Sequence, residues 1–249
     1  MAENGNKEKA KLRYEGMRVK TLSGCCTVTE YIDSHNVYVT FEDGTKVKTN
    51  VSQIRQASIK NPNLPVVQGL GFIGIGPYSH KKDKQAYKKW YAMFERCYNE
   101  NYHKTKPTYI GCSVVEDWYS FQNFAEWFYQ QKRQDGWELD KDLLIPGNKV
   151  YGPDFCCLVP RALNVLINHN KMGKKENPIG VSFSKKRGMY YSAYHNENGE
   201  NIVLGFSHDR DKLLQLYRNA KKGAIRKAAE KYKDVIEKRL YESLINWEV

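Results

Sequence analysis

Five lysines, Lys81, Lys82, Lys84, Lys88 and Lys89, fall within nine residues, and Lys185, Lys186 and Arg187 stand together ahead of Gly188. Such groups bind phosphate, lysine as a point charge and arginine as a planar fork. The same residues also suit a solvated helix face and a solvated turn. Gly69-x-Gly71-x-x-Gly74 matches, letter by letter, the loop that cradles a dinucleotide pyrophosphate. Its setting is wrong for that role, because Pro65-Val66-Val67 is a poor strand and Gly76-Pro77 stands where a helix would begin; an ordered loop is the reading. Cys97, Cys112, Cys156 and Cys157 could converge on zinc, but no C-x-x-C knuckle is present, so buried thiols are favoured. Two of the cysteine pairs are adjacent in sequence (Cys25–Cys26 and Cys156–Cys157), which does not make a disulfide framework. The histidines His35, His80, His103, His195 and His208 are scattered over separate segments.

The whole composition agrees with an anionic partner. Forty Lys and Arg against 28 Asp and Glu give a net charge of +12, which favours nucleic acid ahead of a membrane surface. No run of eighteen apolar residues exists, and Met1–Arg13 is polar with no apolar signal core. A cytoplasmic protein with no membrane partner is therefore expected. Hydrophobic residues at 41% allow a packed core.

Residues 1–13 read as a disordered basic tail. Residues 14–60 read as four or five short strands in a small β-barrel of the SH3-like or Tudor-like kind. Val37-Tyr-Val-Thr-Phe41 alternates, and Asp43-Gly44 is a hairpin turn. Residues 61–82 form a Gly/Pro-rich linker. A helix fits Asp83 to Asn99, with Tyr87, Trp90, Tyr91, Phe94 and Tyr98 on an aromatic face. A second helix runs from Ser120 to about Gln131, burying Phe121, Phe124, Ala125 and Phe128. Trp137–Asp142 and Val150-Tyr151 read as two short strands, followed by a helix after Pro160: the outline of a ββα unit. Ile179–Phe183, Met189–Tyr194 and Ile202–Phe206 read as three strands joined by turns. Two helices close the chain, one opened by Asp209 and one over roughly Ala224 to Trp247.

Two regions carry a resemblance. Trp90-x-x-Met93-x-x-Arg96-Cys97-Tyr98, Gly111–Val115, Asp117-Trp118, Ser120-Phe121 and Phe124 are similar to the helical lead-in of HNH-type phage homing nucleases. Leu139–Asp142, then Gly147-Asn148-Lys149-x-Tyr151-x-Pro153-x-x-Cys156 and Val159-Pro160, resemble that family's ββα unit, so residues 83–172 are expected to be an HNH-like domain. The segment 178–222 resembles the three-strand-plus-helix DNA-binding domain of plant ethylene-response factors, through Gly180-Val181, Tyr191-x-Ala193, Leu204-Gly205, Phe206 and Ala220-Lys221. The expected fold class is α+β: a small N-terminal β-barrel, a central HNH-like ββα unit with its helical lead-in, and a C-terminal three-stranded sheet plus helices over residues 177–249.

The resemblance implies a chemistry and also a defect in it. In the family a strand histidine activates water while oxygen ligands hold a divalent metal at the phosphate. Here Lys141 stands at the histidine position, and Phe155 replaces the asparagine expected after Pro153. A lysine between two carboxylates stays protonated and is a poor base. Lys141 and His169 are the catalytic candidates; Asp140, Asp142 and Asn148, with Asn164 more distant, are the candidate ligands for Mg2+ or another divalent metal. Asp and Asn also populate turns for their own reasons. The second resemblance sets the outward side chains of the three strands against bases, with Lys185, Lys186 and Arg187 on phosphates and Tyr190 or Tyr194 on sugars. Lys88 and Lys89 are further phosphate candidates. The expectation is a phage or mobile-element protein that binds duplex DNA through a nuclease fold that no longer cuts. The alternatives are an active metal-dependent endonuclease, and a counter-defence inhibitor that binds a host protein in the cytoplasm of an infected bacterium.

Overall fold

The computed structural model describes residues 2–132, 135–168 and 177–248. Among the described residues the chain mixes helices with several sheets, none closed into a barrel. It divides into two compact units: residues up to Lys82 with Tyr119–Gln122, and Asp83–Trp118 with Asn123 onward.

The first unit begins with helix α1 (Ala2–Tyr14), not with a disordered tail. Its Lys-, Glu- and Ala-rich sequence has good helix propensity, and Lys11 and Arg13 in the last turn complement the C-terminal dipole. Tyr14 anchors it: the ring stacks on Tyr31 at 5.7 Å and its hydroxyl accepts from Arg55. Strands β1 (Arg18–Thr21), β2 (Gly24–Asp33), β3 (Asn36–Phe41) and β4 (Lys46–Thr49) then form an antiparallel meander in sequence order. Alternation in β3 turns Val37, Val39 and Phe41 into a core with Val19, Cys26, Val28, Ile54 and Ile59. The β3–β4 turn takes Gly44 at φ +84°, while Asp43 Oδ1 accepts from the Thr45 N–H. The four strands do not close into the expected barrel. After β4, Asn50 caps a short helix, α2 (Val51–Arg55), by accepting from the Gln53 N–H. Helix α2 plugs Ile54 into the core where a closing strand would be needed, so β1 and β4 stay as edges. The Gly/Pro-rich stretch is an ordered loop: Val67 bridges Gly71, and the Gln122 side chain donates to the carbonyls of Ile73 and Tyr78 and accepts from the Tyr78 N–H.

The second unit opens with α3 (Lys84–Tyr98). Its buried stripe is Ala86, Trp90, Met93, Phe94 and Cys97, turned slightly from the expected aromatic face, so Tyr91 is exposed. Trp90 Nε1 donates to the Trp118 carbonyl at 2.8 Å, satisfying a buried indole. After α4 (Glu100–Thr105) come β5 (Ser113–Val114) and α5 (Phe121–Gln130), whose first two residues belong with the first unit. Then follow β6 (Glu138–Asp140), β7 (Val150–Tyr151), β8 (Cys157–Val159) and α6 (Arg161–Asn168). The strand pairing departs from expectation: β7 lies parallel to β5, and β6 pairs antiparallel with β8. The two antiparallel strands ahead of the helix are thus β6 and β8, with residues 141–156, which include β7, between them.

The chain ends with β9 (Val181–Ser184), β10 (Met189–His195) and β11 (Asn201–Ser207), an antiparallel sheet in the order β11-β10-β9. Helix α7 (Arg210–Tyr232) packs on all three strands. Asp209 caps it by accepting from the N–H groups of Asp211 and Lys212. Gly180, at φ +74°, lies so close to the Tyr217 ring that a Cβ there would collide with it. The two expected terminal helices divide elsewhere. α7 runs on through Gly223, because Lys221, Ile225, Ala228 and Ala229 continue one buried stripe; the break falls before α8 (Lys238–Ile245).

Candidate functional site

The loop after β6 brings Asp140, Lys141, Asp142 and Asn148 together and commits each to the loop's own structure. Asp140 Oδ1 accepts from the N–H groups of Asp142 and Leu143, both at 2.9 Å. Lys141 is only 8% exposed. Its Nζ donates to the Asn148 carbonyl at 2.6 Å and stands 3.6 Å from the Asp142 carboxylate. Asn148 returns the bond: its Nδ2 donates to the carbonyls of Lys141 and Val150, and its Oδ1 accepts from the Val150 N–H. These reciprocal bonds fasten the two ends of an eight-residue turn. Burial, with the neighbouring charge of Asp142 adding to it, pushes the Asp140 carboxyl up to about 6.

The surroundings are buried and aromatic. Burial opposes the charge on Arg96, but Tyr151 and Tyr109 outweigh it and hold the guanidinium charged well above its ordinary value. Burial likewise pushes the Tyr151 and Tyr109 hydroxyls up. It also pushes the Cys97 and Cys156 thiols up to about 12, and the Cys157 thiol well above its ordinary value. All six cysteines are free, and these three are protonated thiols of the core. Among the described residues, no group of three or more His, Cys, Asp or Glu is placed to hold a metal ion. Asp140 and Asp142 supply carboxylates, but the Asn148 amide is turned into the loop. With Asp140 Oδ1 also engaged by two backbone N–H groups, the described residues do not converge as a ligand set for the metal that the resemblance implies. Asn164 sits on the first turn of α6. His169 lies outside the described residues.

The sheet β9–β11 offers a different surface. Register places Val181 opposite Ser192 and Phe183 opposite Tyr190. Val181 and Ser192 of this set are buried, and Arg210 of α7 lies 5.4 Å over the Tyr190 ring, so this side of the sheet faces α7, with Phe183 still 48% exposed. Tyr194 joins that side, with Lys221 of α7 5.9 Å above its ring. Tyr190 and Tyr194 are therefore on the helix side of the sheet. Residues of the other parity, Ser182, Tyr191 and Phe206, line up across the three strands on the side away from α7. The Tyr191 and Phe206 rings are 5.8 Å apart, and the Arg187 guanidinium lies 4.2 Å over Phe206. Phe206 is 39% exposed and Val203 48%. Lys185, Lys186 and Arg187 are all exposed in the β9–β10 turn beside this face.

No family model, curated protein or solved structure matches this chain.

A third cluster involves the lysines of α3. Lys88 is exposed, while Lys89 is largely buried and stands 3.7 Å from Glu138 of β6. Burial lowers the Lys89 pKa, and Glu138 opposes that shift. Arg96 and Glu138 join Lys88 and Lys89 around one small cleft. Sequence reasoning found the lysines but not these partners: Arg96 shares a face with Lys88 and Lys89 at helical spacing, a legible signal, whereas Glu138 is brought in only by the tertiary fold. Tyr191 and Phe206 carried the resemblance without being assigned to the surface; strand parity from Ser192 would have shown them.

Proposed function

We propose that this chain is a DNA-binding protein that engages the duplex through the open face of the β9–β11 sheet, and that its ββα unit is a structural element that does not cut. One observation carries the reading: the Arg187–Phe206–Tyr191 row lies on the sheet face that α7 leaves uncovered, with Lys185 and Lys186 at its edge. Three strands about 4.8 Å apart span roughly 10 Å, which suits the roughly 12 Å major groove. Arg187 is the group for a base edge or phosphate, the two lysines for phosphates, and the aromatic row for apolar contact with sugars and thymine methyls.

The buried state of Lys141 supports the second half. A general base must be neutral and within reach of water. This ammonium is held by a carbonyl and a carboxylate and shielded from solvent. A second reading, a metal-dependent nuclease, draws on Asp140, whose pKa of about 6 suits a base near neutral pH. Against it, Oδ1 of that carboxylate already accepts two backbone N–H groups.

The test is anisotropy of a labelled duplex with wild type, Tyr191→Ala and Arg187→Ala, alongside supercoiled plasmid incubated with Mg2+ or Mn2+. The expected result is a loss of about tenfold in affinity for each variant, since hydrogen bonds to charged groups and aromatic contacts are worth about 1–3 kcal/mol, with no nicking above background. Full affinity in both folded variants would remove the sheet face from the account. Metal-dependent nicking lost in Asp140→Ala would restore the nuclease. No DNA binding by wild type would favour a host protein as partner.

A further inference from the structure

We propose that the cleft between α3 and β6 is a phosphate-binding site, with Lys88, Lys89 and Arg96 as its cationic ligands and Glu138 as the acid that tempers them. Residues 88, 89, 92 and 96 are spaced to share one helix face. Ala92, the small residue among them, leaves room at the centre, and Glu138 and Leu139 of β6 form the opposite wall. The cavity is about 170 Å3, some five or six times the roughly 30 Å3 share of a water molecule. That space holds one phosphate and a little of what it is esterified to.

The charges favour an anion. Three cationic residues and one carboxylate line the cleft, a net charge of +2 in a concavity with a buried apolar wall at Leu139. Such a wall keeps the field out of solvent and concentrates it in the cleft. Lys89 is only 18% exposed at its side chain, and Glu138, 3.7 Å away, engages at most one of its three N–H donors. The ammonium thus keeps donors for a closer acceptor. Burial already disfavours its charge, and a bound anion would offset that. Arg96 is fixed in place: its guanidinium lies 5.7 Å over the Tyr109 ring and is paired with the Tyr151 hydroxyl. With five N–H donors in a rigid fork, it retains some for an anion that enters the cleft. A preoriented guanidinium flanked by two lysines matches phosphate oxygens better than a single carboxylate.

The phosphate has two sources, a DNA backbone or a free phosphate compound. The first deepens the DNA-binding reading, whereas the second stands without it. The test uses the full chain in two assays, calorimetric titration with inorganic phosphate and duplex binding over a range of salt concentrations. The variants are Lys89→Gln and Glu138→Gln. Opposite signs are expected: Lys89→Gln should weaken phosphate binding about tenfold, and Glu138→Gln should strengthen it several-fold. A folding defect would weaken both, so it cannot imitate this pattern. If the backbone is the source, Lys88→Ala with Lys89→Gln lowers the steepness of log K against log salt by about 0.9 per phosphate lost, and free phosphate binds weakly. If the source is free, phosphate binding shows the opposite-sign pattern and the duplex slope is unchanged. Free phosphate bound by a chain that ignores DNA would uphold the cleft and remove the DNA reading. Identical behaviour of wild type and all variants in both assays would overturn the proposal.

Discussion

Replacing Lys141 by methionine separates a structural lysine from a catalytic one. Methionine keeps most of the apolar stem and removes the ammonium. Two groups then lose one of their contacts: the Asn148 carbonyl, bonded at 2.6 Å, and the Asp142 carboxylate, 3.6 Å away. A hydrogen bond to a charged donor is worth about 1.5–3 kcal/mol, and breaking a buried pair from one side costs about 3–5 kcal/mol. The Asp142 side chain is 28% exposed, so water recovers part of that loss, and the expected cost is about 2–4 kcal/mol. Urea unfolding read by tryptophan fluorescence measures it. All five tryptophans fall after Lys82, so this signal follows the second unit. The midpoint should drop with an unchanged slope. Duplex affinity of the folded variant should stay within about twofold at temperatures below its transition. A variant as stable as wild type to within about 0.5 kcal/mol would refute the structural role. Loss of a metal-dependent nicking activity together with that unchanged stability would assign Lys141 to catalysis.

Three further outcomes follow from the same geometry. Asp140 holds its proton to about pH 6, against an ordinary value of 3.8. Between those values the folded chain carries more protons than the unfolded one, so stability falls as pH rises through that window and then levels off. Asp140→Asn keeps Oδ1 as acceptor for Asp142 and Leu143 but cannot titrate; its urea midpoint should fall less between pH 4 and 6.5 and exceed wild type at pH 7.5, and equal slopes in both proteins would contradict this. Gly180→Ala must hold an alanine at φ +74° against the Tyr217 ring; a cost of about 2–4 kcal/mol is expected from the left-handed backbone and the overpacking combined, and a neutral result by thermal unfolding would contradict the close approach. Tyr190→Ala should lower stability, since that ring packs under Arg210 beside α7, yet leave duplex affinity intact, the reverse of Tyr191→Ala.

What could be read along the chain was mostly local. Val37, Val39 and Phe41 alternate, and their strand faces its core accordingly. Phe121, Phe124, Ala125 and Phe128 repeat at helical spacing, and all four are buried on α5. Closure of the N-terminal strands depended on what followed β4, and the cap at Asn50 started a helix there. Pairing of β6 with β8 was hidden because Cys157-Leu158-Val159 is buried on every residue and carries no alternation. The surface of the C-terminal sheet turns on parity: moving from Tyr190 to Tyr191 changes the face, and a bulge at Ser192/Ala193 interrupts a simple count beyond it. Lys141 looked like a residue in the wrong place for catalysis. Its positive role, tying the loop to Asn148 seven residues on, depends on a turn geometry that side-chain type alone does not state.

The central claim, that the open face of the β9–β11 sheet binds duplex DNA, is tested most directly by the salt dependence of duplex binding for wild type and for the Lys185→Ala, Lys186→Ala double variant. Each phosphate neutralised contributes about 0.9 to the steepness of log K against log salt. Wild type should bind with affinity that falls linearly on that plot, and the double variant should lose about 1.8 of the slope while staying folded, since exposed turn charges add little stability. No duplex binding by wild type at low salt, or equal slopes for the two proteins, would contradict the account.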